Sequence, residues 1–188
     1  MTGLDPRHPL VIDVRSLPRT PGSMVTVTRD VPAPAGLGVA MARVPEGSPI
    51  DLDLRLESVL EGVLVSGSAD LEVTAECSRC LEAFGWQQEI DLTELFRYPS
   101  TDARGAVVEE EDESFDPLPV LKDDEIDLEP VLRDAVVLDL PLAPLCREDC
   151  LGLCSECGAR LEDDPQHAHD TTDSRWAALA ALIEPDVR

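Results

Sequence analysis

The chain has 188 residues, enough for one substantial domain with an appendage or for two small ones, and its 39 acids against 15 bases give a formal charge of -24. That charge excludes an extended phosphate-binding surface, because affinity for nucleic acid rests on cations that neutralise phosphates, so any RNA contact is expected to be local. No apolar run approaches the ~20 residues that cross a bilayer, and Asp139 interrupts the most hydrophobic one, 135–145.

Short β-like pieces come first, at Leu10–Val14 and Met24–Arg29, separated by a turn-rich loop, Ser16–Ser23. A second irregular stretch is marked by Pro32, Pro34, Gly36, Gly38, Pro45 and Gly47. From Ile50 the pattern becomes strict: Ile50, Leu52, Leu54 and Leu56 alternate with Asp51, Asp53, Arg55 and Glu57, the signature of a strand with one buried and one wet face. Gly62–Ser66 and Ala69–Glu76 read as two further strands joined around Ser66-Gly67-Ser68. β character resumes at Phe84–Phe96, with Leu92–Tyr98 open to a helical reading. Successive short strands without a βαβ rhythm argue for an antiparallel sheet.

Residues 101–124 change composition sharply, with Glu109–Glu113 at their centre, and read as a flexible acidic loop. Glu129-Pro130 then opens a helix through about Asp139, since proline suits a first helical turn and acids there complement the dipole. Val131, Leu132, Ala135, Val136 and Leu138 are its candidates for packing on the sheet. A last helix is expected after the cap Thr171-Thr-Asp173, with Trp176, Leu179, Ala180 and Ile183 on one stripe. The fold expected is therefore α+β: a mainly antiparallel twisted sheet or partial barrel, a packed helix and a small C-terminal zinc-binding module. Its parts are a β-rich domain (1–100), the acidic loop (101–124), the packing helix (125–145) and the Cys/His module with its helix (146–188).

Chemistry concentrates in eight soft ligands: Cys77, Cys80, Cys146, Cys150, Cys154, Cys157, His167 and His169. Zinc prefers thiolate and imidazole, takes four ligands in structural sites, and uses cysteines two to four residues apart because one tight turn can present both sulfurs. Two zinc ions, and at least one, are expected. The preferred partition puts Cys77, Cys80, Cys146 and Cys150 on one ion and Cys154, Cys157, His167 and His169 on the other. A single all-thiolate site from the four clustered cysteines, or a ribbon of Cys77, Cys80, Cys154 and Cys157, is the alternative. A thioredoxin-like redox pair at Cys77 and Cys80 is a competing reading, but it calls for a helix starting at the first cysteine, and Gly85 with strand-like sequence follows instead. Disulfides are disfavoured because Met1–His8 is polar and offers no apolar leader, so a reducing cytoplasm is expected. No Gly-x-Ser-x-Gly elbow, phosphate-binding Walker loop or His-Glu-x-x-His helix occurs, and a non-enzymatic protein without a small-molecule substrate is the expectation.

The order Glu76-Cys-Ser-Arg-Cys-Leu-Glu-Ala-Phe84, an acidic gap, Glu125-Ile-Asp-Leu-Glu-Pro130, the run from Leu140 through the clustered cysteines to Gly158, and Asp173-Ser-Arg-Trp-Ala-Ala-Leu179 resembles the YceD family, the large ribosomal RNA subunit accumulation proteins. The likeness runs from about residue 10 to 184. It implies a bacterial, cytoplasmic, non-catalytic factor needed for 23S ribosomal RNA to accumulate. His167 and His169 stand where relatives carry a final cysteine pair, a swap that zinc accepts. The charge of -24 suits contact with a basic ribosomal protein or a large-subunit precursor particle better than a grip on RNA. A zinc-stabilised adaptor in transcription is the remaining alternative.

Overall fold

The computed structural model describes residues 5, 7–100, 118–164 and 166–169. The expected acidic run Glu109–Glu113 and the expected helix after Thr171 lie outside the described residues. Seven strands and one helix are present among them: β1 (Val11–Asp13), β2 (Met24–Pro32), β3 (Ala42–Arg43), β4 (Pro49–Ser58), β5 (Gly62–Glu76), β6 (Ala83–Arg97), β7 (Glu125–Asp127) and α1 (Glu129–Asp139). The main sheet is antiparallel and open, not closed into a barrel. β5 is its central strand, with β6 along one side and β4 followed by β3 along the other, and β2 lies outside β4. β1 and β7 form a separate antiparallel pair, tied to β2 where Arg29 Nη1 donates to Val11 O at 3.0 Å.

β4 follows its alternation: Ile50, Leu52, Leu54 and Leu56 are buried and their odd-numbered neighbours are not. The same two-residue period corrects the expectation of two strands around Gly67. Val63, Val65, Ala69, Leu71, Val73 and Ala75 are all buried and stay in phase across Ser66-Gly67-Ser68, so β5 is one 15-residue strand. A hairpin turn would slip the phase or reverse the chain; Gly67 does neither, pairing with Leu54 on one side and Leu92 on the other. What glycine supplies there is room, because a Cβ would lie 2.0 Å from Asp53 O.

One face of the sheet buries these residues beneath α1 and the β1–β7 pair. α1 begins at Glu129, with Pro130 in its first turn, and buries Leu132 and Val136 against the core. Leu138, expected to pack, is 85 % exposed: six residues after Leu132 is about 240° around the helix, off the buried stripe. Leu132 is fully buried, so Leu132→Ala is expected to destabilise the fold by about 3 kcal/mol in urea titrations, whereas Leu138→Ala should stay within about 0.5 kcal/mol.

The opposite face is acidic. Asp30 pairs with Asp51, Asp51 with Asp70 and Asp70 with Glu89, a row of carboxylates in register across four strands. Like charges directly opposite on adjacent strands are destabilising, so the sheet carries this row against its own stability and relies on the apolar face to offset it.

Beyond Arg97 the described chain resumes at Leu118. Residues Pro119–Leu121 run parallel to the end of β6: Arg97 N–H donates to Pro119 O at 2.8 Å and Leu121 N–H to Arg97 O at 2.9 Å. Asp123 and Asp124, with φ of 55° and 60°, then turn the chain into β7.

Candidate metal centres

The β5–β6 hairpin ends in the first cysteine pair. Glu76 still pairs with Ala83, and the six residues between them form the tip. Cys77 N–H donates to Glu82 O at 2.9 Å and Leu81 N–H to Cys77 O at 2.8 Å, closing a tight turn with Leu81 at φ 60°. This turn aims Cys77 and Cys80 away from the sheet's end, where the chain after α1 meets them.

Cys146 and Cys150 come from that chain. Cys77 Sγ lies 3.8 Å from Cys150 Sγ, and Cys80 Sγ lies 3.8 Å from Cys146 Sγ. All four sulfurs fall within 4.8 Å of one another. A tetrahedron with metal–sulfur bonds of ~2.3 Å has edges of about 3.8 Å, so the spacing matches four thiolates around one ion. Cys77, Cys80 and Cys150 are buried, with Phe84 and Leu145 packed beside them; Cys146 is exposed as a residue, but its sulfur is turned in toward the other three.

Cys77 and Cys146 are electrostatically unlike. Backbone N–H groups of Cys146 and Cys80 hold Cys77 down at about 6. Loss of solvent around its thiol, with the hydrogen bonds to Cys150, Cys77 and Cys80, pushes Cys146 up to about 12. A divalent ion bound there would supply the positive charge that favours thiolate over thiol.

Main-chain and arginine contacts hold the two segments together independently of sulfur. Ser78 N–H donates to Pro144 O at 2.9 Å. Arg79, inside the first cysteine pair, reaches Glu148 O at 3.3 Å and Cys150 O at 3.0 Å through Nη1, while its own carbonyl accepts from Leu153 N–H at 3.1 Å. Gly152 lies against Arg79 at φ 77°, where a Cβ would be 3.0 Å from Arg79 O. Arg160 pairs with Glu82 on the hairpin tip, and Arg147 pairs with Glu162. Sequence reasoning missed all of these braces. The one signal available was the arginine within the cysteine pair, which spacing alone does not connect to carbonyls some seventy residues on.

The second cluster is built from Cys154, Cys157, His167 and His169, whose ligand atoms again lie within 4.8 Å of one another. Leu153 bridges Arg160, Cys154 N–H donates to Ala159 O at 2.8 Å and Gly158 N–H to Cys154 O at 2.8 Å, a knuckle closed by Gly158 at φ 71°. Both histidine Nε2 atoms stand 3.2 Å from Cys157 Sγ and 2.8 Å from each other. Two lone-pair-bearing imidazole nitrogens converging on one sulfur suit a shared cation. Backbone N–H groups of Cys157 and Glu156 lower the Cys154 thiol. Unlike the first cluster, this one is open: Cys157 and His169 are exposed, and Cys154 and His167 are half-buried. The structure thus brings the eight expected ligands into two groups of four and joins neither the four clustered cysteines nor Cys77 and Cys80 with Cys154 and Cys157.

A family model described as large ribosomal RNA subunit accumulation protein YceD matches residues 65–183 of the chain. Among curated proteins, the uncharacterized protein Rv2926c of Mycobacterium tuberculosis is 42 % identical over 178 residues, covering 95 % of this chain and 83 % of that protein. The uncharacterized protein YlbN of Bacillus subtilis is 26 % identical over 141 residues, 71 % of this chain and 72 % of that protein. A maize protein named large ribosomal RNA subunit accumulation protein YCED homolog 1, chloroplastic, is 25 % identical over 171 residues, 85 % of this chain and 48 % of that protein. No solved structure matches the chain. No helix among the described residues is long and apolar enough to cross a membrane.

Proposed function

This chain belongs to the YceD family of large ribosomal RNA subunit accumulation proteins, and from that membership we propose that it is a non-catalytic, zinc-binding factor of ribosome biogenesis, acting in the cytoplasm so that 23S ribosomal RNA accumulates. The observation that carries the reading is the family match over residues 65–183, which spans both ligand clusters. Its direct contact is a basic ribosomal protein or a pre-ribosomal particle, a partner suited to a chain of charge -24 and to the acidic outer face of the sheet. The experiment is depletion of the protein in its host, followed by the ratio of large- to small-subunit ribosomal RNA and of their precursors. A selective fall in the large-subunit species is expected; an unchanged ratio would remove the reading.

Zinc fits the donor sets best. Four thiolates at tetrahedral spacing, and two thiolates with two imidazoles, are its usual structural ligand sets. Bound there, an ion cross-links the β5–β6 hairpin tip to 146–150 and folds 154–169 into a module. The two sites should differ in lability because one is buried and the other open. A mild chelator such as EDTA is expected to remove the ion of Cys154, Cys157, His167 and His169 at least tenfold faster than the other, seen as two phases of zinc release with a colorimetric indicator. A single phase would count against unequal sites.

Thiol–disulfide exchange is the weaker reading, because an attacking thiolate must reach its substrate and Cys77 is fully buried with Cys80 only 8 % exposed.

A further inference from the structure

The outer edge of β6 and helix α1 enclose a groove of about 650 Å3 among the described residues. Six consecutive β6 residues, Glu89 to Glu94, line it opposite one stripe of α1, Val131, Asp134, Ala135 and Leu138 among them. Neighbouring strand residues point to opposite faces, so a wall made of all six is the main-chain edge of the strand and not either face. Arg97 shows which residues turn their polar groups outward: its N–H and C=O bond Pro119 and Leu121 on the side away from β5. By the alternation of an antiparallel ladder, Thr93, Asp91 and Glu89 do the same. Among the described residues none of these three has a main-chain partner on that side. The next outward N–H, that of Leu95, is covered by Glu94 Oε1 at 3.1 Å.

We infer that this edge accepts an extended, lysine- or arginine-rich segment of a partner protein, added to the sheet as a further strand beside β6. The edge already pairs at one end, where Val120 makes an isolated parallel bridge with Arg97. Sheet edges with unpaired N–H and C=O groups are templates for such addition, main-chain bonds supplying affinity and alternate side chains specificity. From Glu89 to Thr93 the edge offers about 16 Å, room for about five residues. Charge selects the occupant. Glu89, Asp91, Glu94, Asp134 and Asp139 line the groove and among the described residues no base does, while Leu138, 85 % exposed, and Val131 give the stems of long basic side chains an apolar wall. The same charge disfavours two other occupants: a second copy, which would set Glu89 and Asp91 against their own kind, and this chain's residues 101–117, which carry seven acids and one arginine. The inference rests on the proposed role only for the partner's identity as a basic protein; the contact itself is independent of it.

The test uses the full-length, zinc-loaded protein and two fluorescein-labelled peptides of equal length and charge, one alternating lysine and valine, the other with proline in place of the valines. Fluorescence anisotropy is expected to show the lysine–valine peptide binding at least tenfold tighter than the proline peptide, which cannot form the ladder. Thr93→Pro removes an outward N–H and should weaken the first peptide at least tenfold while the protein keeps its melting temperature. Asp91→Lys should weaken it as well, through charge. Equal affinity for the two peptides, undiminished binding to a folded Thr93→Pro protein, or no binding at low salt would each overturn the inference. Dimerisation on sedimentation, abolished by Thr93→Pro and without peptide binding, would overturn it in favour of self-pairing. Should Thr93→Pro fail to fold, the peptide comparison on the unaltered protein still decides. None of these readouts involves ribosomal RNA, so their failure leaves the accumulation role standing, and an unchanged RNA ratio would leave the binding edge standing.

Discussion

Cys77→Ser is expected to lower bound zinc from two ions per chain, one for each ligand cluster, to one, and to lower the melting temperature by about 10 °C or more. Three features make the effect large. Cys77 is fully buried at the hairpin tip, so a replacement ligand from solvent has little access. A serine hydroxyl is a harder and far less acidic donor than a thiol and does not substitute for thiolate on a soft ion. An ion held there would also close a loop of some seventy residues between the hairpin and Cys150, and losing a cross-link of that span frees much chain entropy in the unfolded state. Cys157→Ser is the control: it should also cost one ion, yet move the melting temperature by only about 3 °C or less, because its cluster is exposed and joins only residues 154–169. Metal content by plasma mass spectrometry and scanning calorimetry on the same samples decide it. A Cys77→Ser protein that keeps two ions would refute the pairing.

Gly67→Ala is expected to destabilise the fold by about 4 kcal/mol or more, or to prevent folding, since forced strain at a special backbone position is one of the few single-residue causes of so large a loss. Gly67 sits at φ 153°, a conformation open to glycine and costly for other residues. A methyl group there would lie 2.0 Å from Asp53 O and 2.9 Å from Leu54 Cα, both backbone atoms of β4 that no rotamer change can move. Relief would require prising β4 from β5 at the centre of the sheet. Ser66→Ala and Ser68→Ala, one residue to either side, should stay within about 1 kcal/mol. Urea unfolding followed by circular dichroism reads the difference, and a Gly67→Ala protein as stable as the parent would show that the sheet yields there.

Much of the fold was legible from local pattern. The strict alternation at Ile50–Glu57 marked β4, and the Glu129-Pro130 opening marked α1 from Glu129 to Asp139. Gly67 was misread because Ser-Gly-Ser is a turn signature by composition; the unbroken phase of Val63, Val65, Ala69 and Leu71 was the better guide, since a register slip would turn every one of them outward. Leu138 was misjudged because apolar identity was weighed above helical angle.

The ligand clusters divide in the same way. Residue type and short spacing within the chain were sufficient to single out eight candidate ligands and to suggest the two groups in which they gather, because a metal knuckle is a local turn. The acidic balance likewise followed from composition alone. Tertiary structure decided what local pattern could not hold: that the Cys77 pair is the tip of the β5–β6 hairpin, that Arg79 and Arg160 brace it against 146–162, that one cluster is buried and the other open, and that among the described residues no strand lies along β6 from Glu89 to Thr93 beside α1. Burial and edges arise when segments distant in sequence meet, and the free energy of those meetings is shared among many residues, so no single stretch of the chain records it.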